Sequence, residues 1–330
     1  MIPILIGVII VIFTINYFTK GSPAIGILGA AATPDNIAQT EHEWGLDRPY
    51  FVQLGEYLWN VVTRFDFGIS YSYNRPVLEI IGERIGITVL LGMLSVVVTV
   101  IVGIPLGIVA ATKQNTPFDY VATTVAVILA AFPSFWLALI LILLFSVHLK
   151  ILPISGLGTW QHWVLPVITT GLFPLATIFR MTRSSMLECI RQDYVRTARS
   201  KGLKERQVLF KHVLPNGMIP VATSVGLTAG FAMTGTIIIE SIFNIPGMGL
   251  LLSGAIGKYD YNLMRGVVVV CAILIFACNL LTDIVYAFLD PRIRAMYANS
   301  GGKKSIHQLM KAEEERNRLE VSSYAQNEKV

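Results

Sequence analysis

One polar segment, residues 180–217, concentrates the residue types with which the chain could act on a partner molecule. It is too polar to cross a membrane, and its apolar residues fall at helical spacing on either side of Gly202. This pattern predicts two short amphipathic helices joined by a glycine turn. Pro215 is expected to close the second helix, because proline cannot continue the backbone hydrogen-bond ladder. Such a helix pair suits the transmission of force, since Ala198 is small enough to fit a partner's groove while flanking charges fix the register.

The sequence gives little support to metal, redox or nucleotide chemistry. The three cysteines lie in or beside apolar runs, where cysteine behaves as a small apolar residue, and the five histidines form no pair at metal-ligand spacing. The phosphate-binding pattern Gly-x-x-x-x-Gly-Lys followed by Ser or Thr does not occur. At its nearest match Tyr297 takes the first glycine position and Lys304 follows Lys303. We therefore predict no catalytic residue, no metal, no cofactor in this chain and no nucleic-acid partner.

The composition indicates that lipid surrounds the elements that hold this segment. Of 330 residues, 54% are hydrophobic and 14% are charged, whereas soluble domains carry about 25% charged residues. A spanning helix needs about 20 mostly apolar residues, because its backbone must satisfy its own hydrogen bonds in the bilayer. Six runs meet this condition, the third as one long span and the fourth interrupted by Pro166 and Pro174: residues 2–19, 87–111, 121–147, 163–179, 219–239 and 266–289.

The first apolar run is interpreted as a retained helix, and a cleaved signal peptide is the alternative. A signal peptide normally has a basic region before an apolar stretch of about 7–15 residues. The run here has no basic residue before it and is longer than that stretch. Six spans then place both termini on the same side of the membrane.

The distribution of Lys and Arg predicts the orientation. Basic residues gather in cytoplasmic loops, and most of the 26 lie on the side that holds residues 180–211 and the C-terminal tail. That side, with both termini, is therefore predicted to be cytoplasmic. The long loop 20–86 is more acidic than basic and rich in Trp and Tyr, which predicts a partly folded extracytoplasmic cap. The predicted domains are a first helix (1–19), the cap (20–86), a transmembrane domain (87–289) with its cytoplasmic loop (180–217), and a cytoplasmic tail (290–330).

The polar segment resembles the EAA loop of type I ABC importer permeases. That loop has Glu-Ala-Ala, three residues, Gly, nine residues, Ile, one residue and Leu-Pro. Gly202, Leu214 and Pro215 stand at the matching spacing, and Ala198 matches the second alanine.

The departures from this pattern resemble one branch of the family. Arg196 and Thr197 replace Glu-Ala, and His212 replaces Ile. The form Asp-Tyr-Val-Arg-Thr-Ala-Arg-x-Lys-Gly is typical of the dipeptide, oligopeptide and nickel permeases. Six further stretches are similar to that branch: 45–49, 65–70, 75–77, 133–136, 152–156 and 243–249.

The resemblance implies an all-α integral membrane protein with six transmembrane helices, the type I ABC importer transmembrane domain and both termini cytoplasmic. It implies a multi-pass permease subunit in the cytoplasmic membrane of a prokaryote, importing di- or oligopeptides. Expected partners are a second homologous permease, two ATP-binding subunits that hold ATP and Mg, an extracytoplasmic substrate-binding protein and membrane lipid. The ATPase-coupling loop would comprise Arg196, Thr197, Ala198, Gly202, Leu214 and Pro215.

Three residues are candidates for the substrate pathway. Phe135 and Trp136 fall inside the third span, and Glu240 directly follows the end of the fifth. Acidic residues at membrane depth are often functional, but an interfacial position is the alternative for Glu240. Packing within the membrane is the alternative for the two aromatic residues.

Three other functions stay open on the sequence. The first is import of nickel, a metallophore or another small solute by the same architecture. The second is an ion-gradient-driven transporter, although the internal repeats usual in that class are not apparent. The third is a membrane sensor or scaffold with the long loop as receptor. ATP dependence of uptake and copurification with an ATPase distinguish these alternatives.

Overall fold

The computed structural model describes residues 2–19, 21–29, 32–232 and 237–289. The tail 290–330, predicted to be cytoplasmic, lies outside the described residues. The helices are α1 Ile2–Phe18, α2 Pro23–Leu28, α3 Pro34–Glu43, α4 Tyr50–Arg64, α5 Val77–Thr112, α6 Pro117–Ala131, α7 Ser134–Leu141, α8 Gln161–Ile190, α9 Asp193–Ser200, α10 Glu205–Val208, α11 Leu214–Ala232, α12 Ile237–Ile242, α13 Met248–Gly257 and α14 Tyr261–Leu289. Two π-helical segments, Ile142–His148 and Leu209–Val213, continue α7 and α10.

Three of the described helices are long and apolar enough to cross a membrane. They are α5, α8 and the stretch Tyr261–Ile284 of α14. These correspond to the second, fourth and sixth predicted spans. The structure thus confirms an all-helical membrane architecture, while the count of six spans stays a prediction.

The third predicted span is not one straight helix. Pro117–Ala131 and Ser134–His148 pass the apolar test together, but their axes bend by 105° at the break between them. Proline disfavours helical backbone in the residue before it, and Phe132 accordingly adopts φ −84° and ψ 137° before Pro133. The sequence pattern alone could not give this bend, because the apolar run continues across it.

The fourth predicted span is longer than expected and its prolines do not interrupt it. Helix α8 runs through both Pro166 and Pro174. Membrane helices tolerate proline where neighbouring groups and small local adjustments satisfy the freed carbonyl. Pro166 is buried among other helices, so the packing around α8 overrides the local preference.

The fifth apolar run appears as α11, followed by α12. Residues 233–236 between them lie outside the described residues. The first run forms α1, of 17 residues.

Small residues let α5 and α8 pack closely. A Cβ added at Gly107 would lie 2.8 Å from the carbonyl oxygen of Phe179, and one at Gly171 would lie 3.2 Å from that of Ser95. Lipid is as apolar as the side chains, so membrane helices associate through close packing rather than hydrophobic burial. These contacts hold α8 in place, and α8 in turn leads into the polar segment.

The long loop after α1 carries α2, α3 and α4, and it is anchored to the start of α14 through Asp260. The buried Asp260 carboxylate accepts hydrogen bonds from Ser70 Oγ at 2.6 Å and from the Ser72 backbone N–H at 2.9 Å. It also accepts from the Leu263 backbone N–H at 3.2 Å, which caps α14. One carboxylate therefore ties the folded loop, which we call the cap (residues 21–29 and 32–76), to the membrane helices.

Candidate coupling surface and membrane cavity

The polar segment forms the two expected helices with a glycine turn between them. Helix α9 precedes Gly202, and α10 with its π-helical continuation follows it. Gly202 has φ +77°, a left-handed conformation that glycine adopts without steric cost. Its N–H donates to the Arg199 carbonyl at 2.9 Å and closes the end of α9. We call residues 193–213 the helix pair.

Pro215 does not close the second helix, contrary to the sequence-based expectation. Helical backbone continues from α10 through the π-helical Leu209–Val213 directly into α11, whose second residue is Pro215. A π-helical turn is wider than an α-helical one and occurs as a local insertion within helices. The π-helical turn lies directly before Pro215, which has no N–H to donate back into it. The helix pair is therefore joined to α11 by continuous helical backbone.

Ala198 is buried inside the chain and does not project from it. Its exposed fraction is 6%, and that of Val195 on the same helix is 0%. They share an apolar cluster at the end of the bundle with Ala111, Met186, Val208 and Val213. Leu214 is half-buried against this cluster, and Pro215 is exposed. The helix pair is therefore fixed to α5 and α8 by apolar packing.

An ion pair that sequence analysis missed bridges the turn. Arg199 donates to Glu205 through Nε at 3.1 Å and Nη2 at 2.7 Å, so the contact is bidentate. The hydrogen bond from Arg199 lowers the pKa of the Glu205 carboxyl below its usual value. The pair therefore holds at neutral pH and is lost as the pH falls through that lowered pKa. The sequence signal that could have predicted this ion pair is the presence of opposite charges, Arg199 and Glu205, on either side of Gly202.

Among the described residues, the outer face of the helix pair is exposed. Arg196 has a side chain 76% exposed, and its ion-pair contact within this part of the chain is a long one of 3.8 Å to Asp193. Thr197 is exposed beside it. Phe210 is 59% exposed. A groove of about 520 Å³ lies on the second half of the helix pair, lined by Leu203, Arg206, Gln207, Phe210, Lys211 and His212.

A second concave feature lies at the bend between α6 and α7. This cavity has a volume of about 540 Å³, and α8, α11 and α12 contribute to its wall. Among the described residues its lining has no charged side chain and combines the hydroxyls of four threonines and Ser134 with apolar groups. The lining residues are Ala130, Ala131, Phe132, Pro133, Ser134, Thr169, Thr170, Phe173, Pro174, Thr177, Thr228, Phe231, Ala232 and Ile239.

Phe135 and Trp136 lie next to this cavity but not in its lining. Both are on α7, with exposed fractions of 44% and 40%. Trp136 stacks on Phe132, with ring centroids 4.4 Å apart, and Phe132 does line the cavity. The pathway role of the two residues stays a prediction, and the sequence analysis missed the threonines.

Glu240 is buried and its carboxylate is fully engaged. Oε1 accepts from Thr88 Oγ1 at 2.9 Å, and Oε2 accepts from the backbone N–H groups of Gly249 at 2.7 Å and Leu250 at 3.1 Å. The N–H groups of Gly249 and Leu250 lie in the first turn of α13, where backbone donors have no acceptor within the helix. Glu240 therefore caps that helix. Its neighbour Ile239 lines the cavity, whereas Glu240 is not in the lining. A pathway role for Glu240 stays a prediction.

Glycine at position 247 leaves room for the Glu240 carboxylate to reach the start of α13. A Cβ at Gly247 would lie 2.5 Å from both Glu240 Oε2 and Thr88 Oγ1. The backbone of the stretch 243–249, which resembles the peptide-permease branch, therefore packs closely against the buried Glu240 carboxylate. Within the described ranges, no group of three or more His, Cys, Asp or Glu side chains could hold a metal ion.

An α-helical membrane bundle with a helix pair packed at its end and a cavity among its helices fits a membrane component of a transporter. The chain belongs to the family described as "binding-protein-dependent transport system inner membrane component", which matches residues 103–295, and the corresponding N-terminal family matches residues 1–92. It is therefore a multi-pass protein of the cytoplasmic membrane, and the resemblance seen in the sequence is confirmed.

Curated relatives cover nearly the whole chain. The dipeptide transport system permease protein DppB of Alkalihalophilus pseudofirmus is 39% identical over 322 residues, covering 89% of this chain and 96% of the relative. A putative peptide transport system permease protein of Brucella abortus is 39% identical over 301 residues, with the same coverage of 89% and 96%. DppB of Escherichia coli K12 is 36% identical over 326 residues, again covering 89% and 96%.

Solved structures support the same fold. Two crystal forms of the MetNI methionine ABC transporter in inward-facing conformations match with TM-scores of 0.57 and 0.54. Their sequence identities are 16% and 18%; each match covers 64% of this chain, and 97% and 96% of the solved chain. At these identities the likeness shows the fold alone.

Proposed function

We propose that this chain is the permease subunit of an ATP-driven importer that carries di- or oligopeptides across the cytoplasmic membrane. The observation that carries the proposal is the helix pair, packed on α5 and α8 by its inner face and open to a partner on its outer face. Relatives named as dipeptide or peptide permeases, at 36–39% identity over most of the chain, support the peptide substrate. Nickel or metallophore import by the same architecture is the alternative that an uptake assay would reveal.

The proposed assembly contains a second homologous permease, two ATP-binding subunits and an extracytoplasmic binding protein. ATP and Mg would be bound by the ATPase subunits. The excess of basic residues on one side supports six spans with both termini and the helix pair in the cytoplasm. The proposed coupling residues are Arg196, Thr197, Ala198, Gly202, Leu214 and Pro215.

The structure suggests how coupling would work at these residues. Arg196 and Thr197 lie on the outer face, where an ATPase subunit would dock. Ala198 and Leu214 pack against the ends of α5 and α8. A displacement of the docked face would therefore move the membrane helices as a body, because packed cores shift between arrangements rather than deform continuously.

Replacing Gly202 by proline tests this role. Proline fixes φ near −65° and removes the N–H that Gly202 donates to Arg199. We expect at least a tenfold loss of ATP-dependent peptide uptake, corresponding to about 1.4 kcal/mol, because the turn can no longer set the angle between α9 and α10. The measurements are copurification with the ATPase subunits and uptake by the reconstituted complex.

The matched control is Gly202→Asn. Asparagine tolerates left-handed backbone, and no atom lies within 4 Å of a Cβ built at Gly202, so near-normal uptake is expected. Unchanged uptake in Gly202→Pro, with normal levels of complex, would refute the coupling role. Uptake driven by an ion gradient without ATP would instead support a secondary transporter.

The cavity at the α6–α7 bend is proposed as part of the solute pathway. Its threonine hydroxyls can hydrogen-bond a polar solute while its uncharged wall leaves the solute free to move on. Filling the cavity by Thr228→Trp is expected to block uptake and leave copurification with the ATPase intact. Thr228→Val keeps the volume and removes one hydroxyl, so it should retain most uptake. Normal uptake in the tryptophan variant would place the pathway elsewhere.

A further inference from the structure

Arg265 is a buried cation that no anion in the described structure neutralises. It lies on the first turns of α14 with an exposed fraction of 5%. Its guanidinium carbon is 4.1 Å from the ring centroid of Phe13, 5.3 Å from that of Tyr57 and 5.9 Å from that of Tyr261. Within residues 2–19, 21–29, 32–232 and 237–289, no carboxylate or carbonyl accepts a hydrogen bond from it, and Nε is buried without a partner.

Three aromatic rings stabilise the positive charge of Arg265, but they do not provide acceptors in the plane of its N–H groups. Ring faces attract a cation electrostatically, whereas a guanidinium presents five N–H donors in a fixed plane that matches a carboxylate. Buried polar groups in proteins are nearly always hydrogen-bonded, so exceptions call for an explanation such as an absent ligand. The Tyr57 hydroxyl beside Arg265 is a second buried polar group without a partner.

Both groups line one pocket between the cap and the start of α14. Its volume is about 270 Å³, which is slightly below the range of about 300–1,000 Å³ typical of sites for drug-sized ligands. Glu43, Glu56 and Asp66 contribute carboxylates to the lining, Arg48 contributes a second guanidinium, and Trp44 contributes an indole ring. The pocket is mostly polar, in contrast to the apolar and threonine-lined cavity of the membrane domain.

The acidic residues of this pocket do not pair with Arg265. Glu56 is engaged by Arg48 at 3.0 Å, Asp66 accepts from the Gly68 backbone N–H at 2.8 Å, and Glu43 accepts from Gln39 at 3.2 Å. Glu43 and Asp66 therefore have no basic side chain as a partner among the described residues. A purely anionic ligand such as phosphate would be repelled by these carboxylates.

The geometry points to a site for the free zwitterion of a short peptide in this pocket. The peptide's terminal carboxylate binds the Arg265 guanidinium and the Tyr57 hydroxyl, and its terminal ammonium faces Glu43 and Asp66. Such a site lies apart from the membrane cavity and holds the solute against the cap. The choice of a peptide among zwitterions rests on the proposed function, whereas the pocket and its charges do not depend on it.

Trp44 provides a local signal for the test. It lines the pocket and stacks on Tyr71 with ring centroids 4.4 Å apart. We would record the fluorescence of the full chain, in lipid nanodiscs with the subunits that copurify with it, during titration with glycylglycine and no ATP. The difference between wild type and Trp44→Phe isolates the signal of this residue. We expect a saturable change with glycylglycine, and none with N-acetyl-glycylglycine amide, whose ends carry no charge.

Arg265→Gln keeps hydrogen-bonding capacity without the charge, and we expect at least a tenfold weaker affinity, equal to about 1.4 kcal/mol. Because this variant also removes the contacts with three rings, Glu43→Gln serves as the second variant. It leaves the cation in place and alters an exposed side chain, and a several-fold weaker affinity is expected. A matched variant away from the pocket, Glu79→Gln, should bind as wild type.

Three results would overturn the site. They are no saturable response at about 10 mM ligand, ten times a weak Kd of about 1 mM; an equal response to the blocked peptide or to acetate; and unchanged affinity in Glu43→Gln and in a folded Arg265→Gln. Binding is measured without ATP, so its failure leaves the transport proposal standing. Binding by a complex that does not import peptides would refute the transport proposal alone.

Discussion

Replacing Glu240 by alanine is expected to lower the free energy of unfolding by about 3 kcal/mol or more, because each buried polar group left without a partner costs about 1–3 kcal/mol. The carboxylate accepts from Thr88 and from the N–H groups of Gly249 and Leu250, all at or below 3.1 Å. Truncation leaves the buried N–H of Gly249 and the half-buried N–H of Leu250 without their acceptor and opens a void around Gly247. The measurement is the midpoint of thermal unfolding of the purified chain in detergent.

Glu240→Gln is the matched control. Its amide oxygen can still accept from the two N–H groups of α13, so we expect a much smaller loss than with alanine. If alanine and glutamine lower the midpoint equally, the negative charge rather than capping is what matters. An alanine variant as stable as wild type, with uptake abolished, would favour the pathway role predicted from the sequence.

Breaking the ion pair between Asp119 and Arg183 is expected to have the second large effect. Asp119 lies in the first turn of α6 with a side chain 1% exposed, and Arg183 on α8 donates to it through Nε at 2.5 Å and Nη2 at 2.8 Å. The Asn115 backbone N–H also donates to Asp119, at 3.1 Å. Removing one partner of a buried pair costs about 3–5 kcal/mol in fully buried cases. Since the Arg183 side chain is 25% exposed, we expect about 2–3 kcal/mol for Asp119→Ala.

A double-mutant cycle checks whether the pair itself carries this energy. Asp119→Ala combined with Arg183→Met should be less destabilised than the sum of the two single variants, because the uncompensated charge is gone. Arg75→Gln is the control: its ion pair with Glu83 has a similar distance of 2.7 Å, but both side chains are about half exposed. Exposed pairs contribute about 0–1 kcal/mol. Additive effects of the two buried residues would contradict the coupling.

These two contacts hold separate ends of the bundle. The Asp119 pair ties α6 to α8, which leads into the helix pair. Glu240 ties α12 to α13 and, through Thr88, to α5. The cavity at the α6–α7 bend lies against α8 and α11. In the proposed mechanism, a displacement of the helix pair would reach the cavity wall through α8, which packs against α5 by close glycine contacts.

The sequence by itself determined the solvent of this protein and its most regular local features. Long apolar runs specify membrane helices because lipid offers the backbone no hydrogen bonds. The family assignment followed from Gly202 with Leu214 and Pro215, and the turn at Gly202 formed as predicted because a left-handed residue between amphipathic segments is a local requirement.

Only the tertiary structure decided the features that depend on residues far apart in the chain. The bend at Pro133, the passage of α8 through Pro166 and the continuous entry into α11 at Pro215 show that proline's effect depends on what surrounds it. Glu240 and Thr88 are 152 positions apart, and their contact exists only in the folded bundle. Composition and periodicity record which side chains avoid water; which buried polar groups meet is set by the packing of helices, and that information lies in no single stretch of sequence.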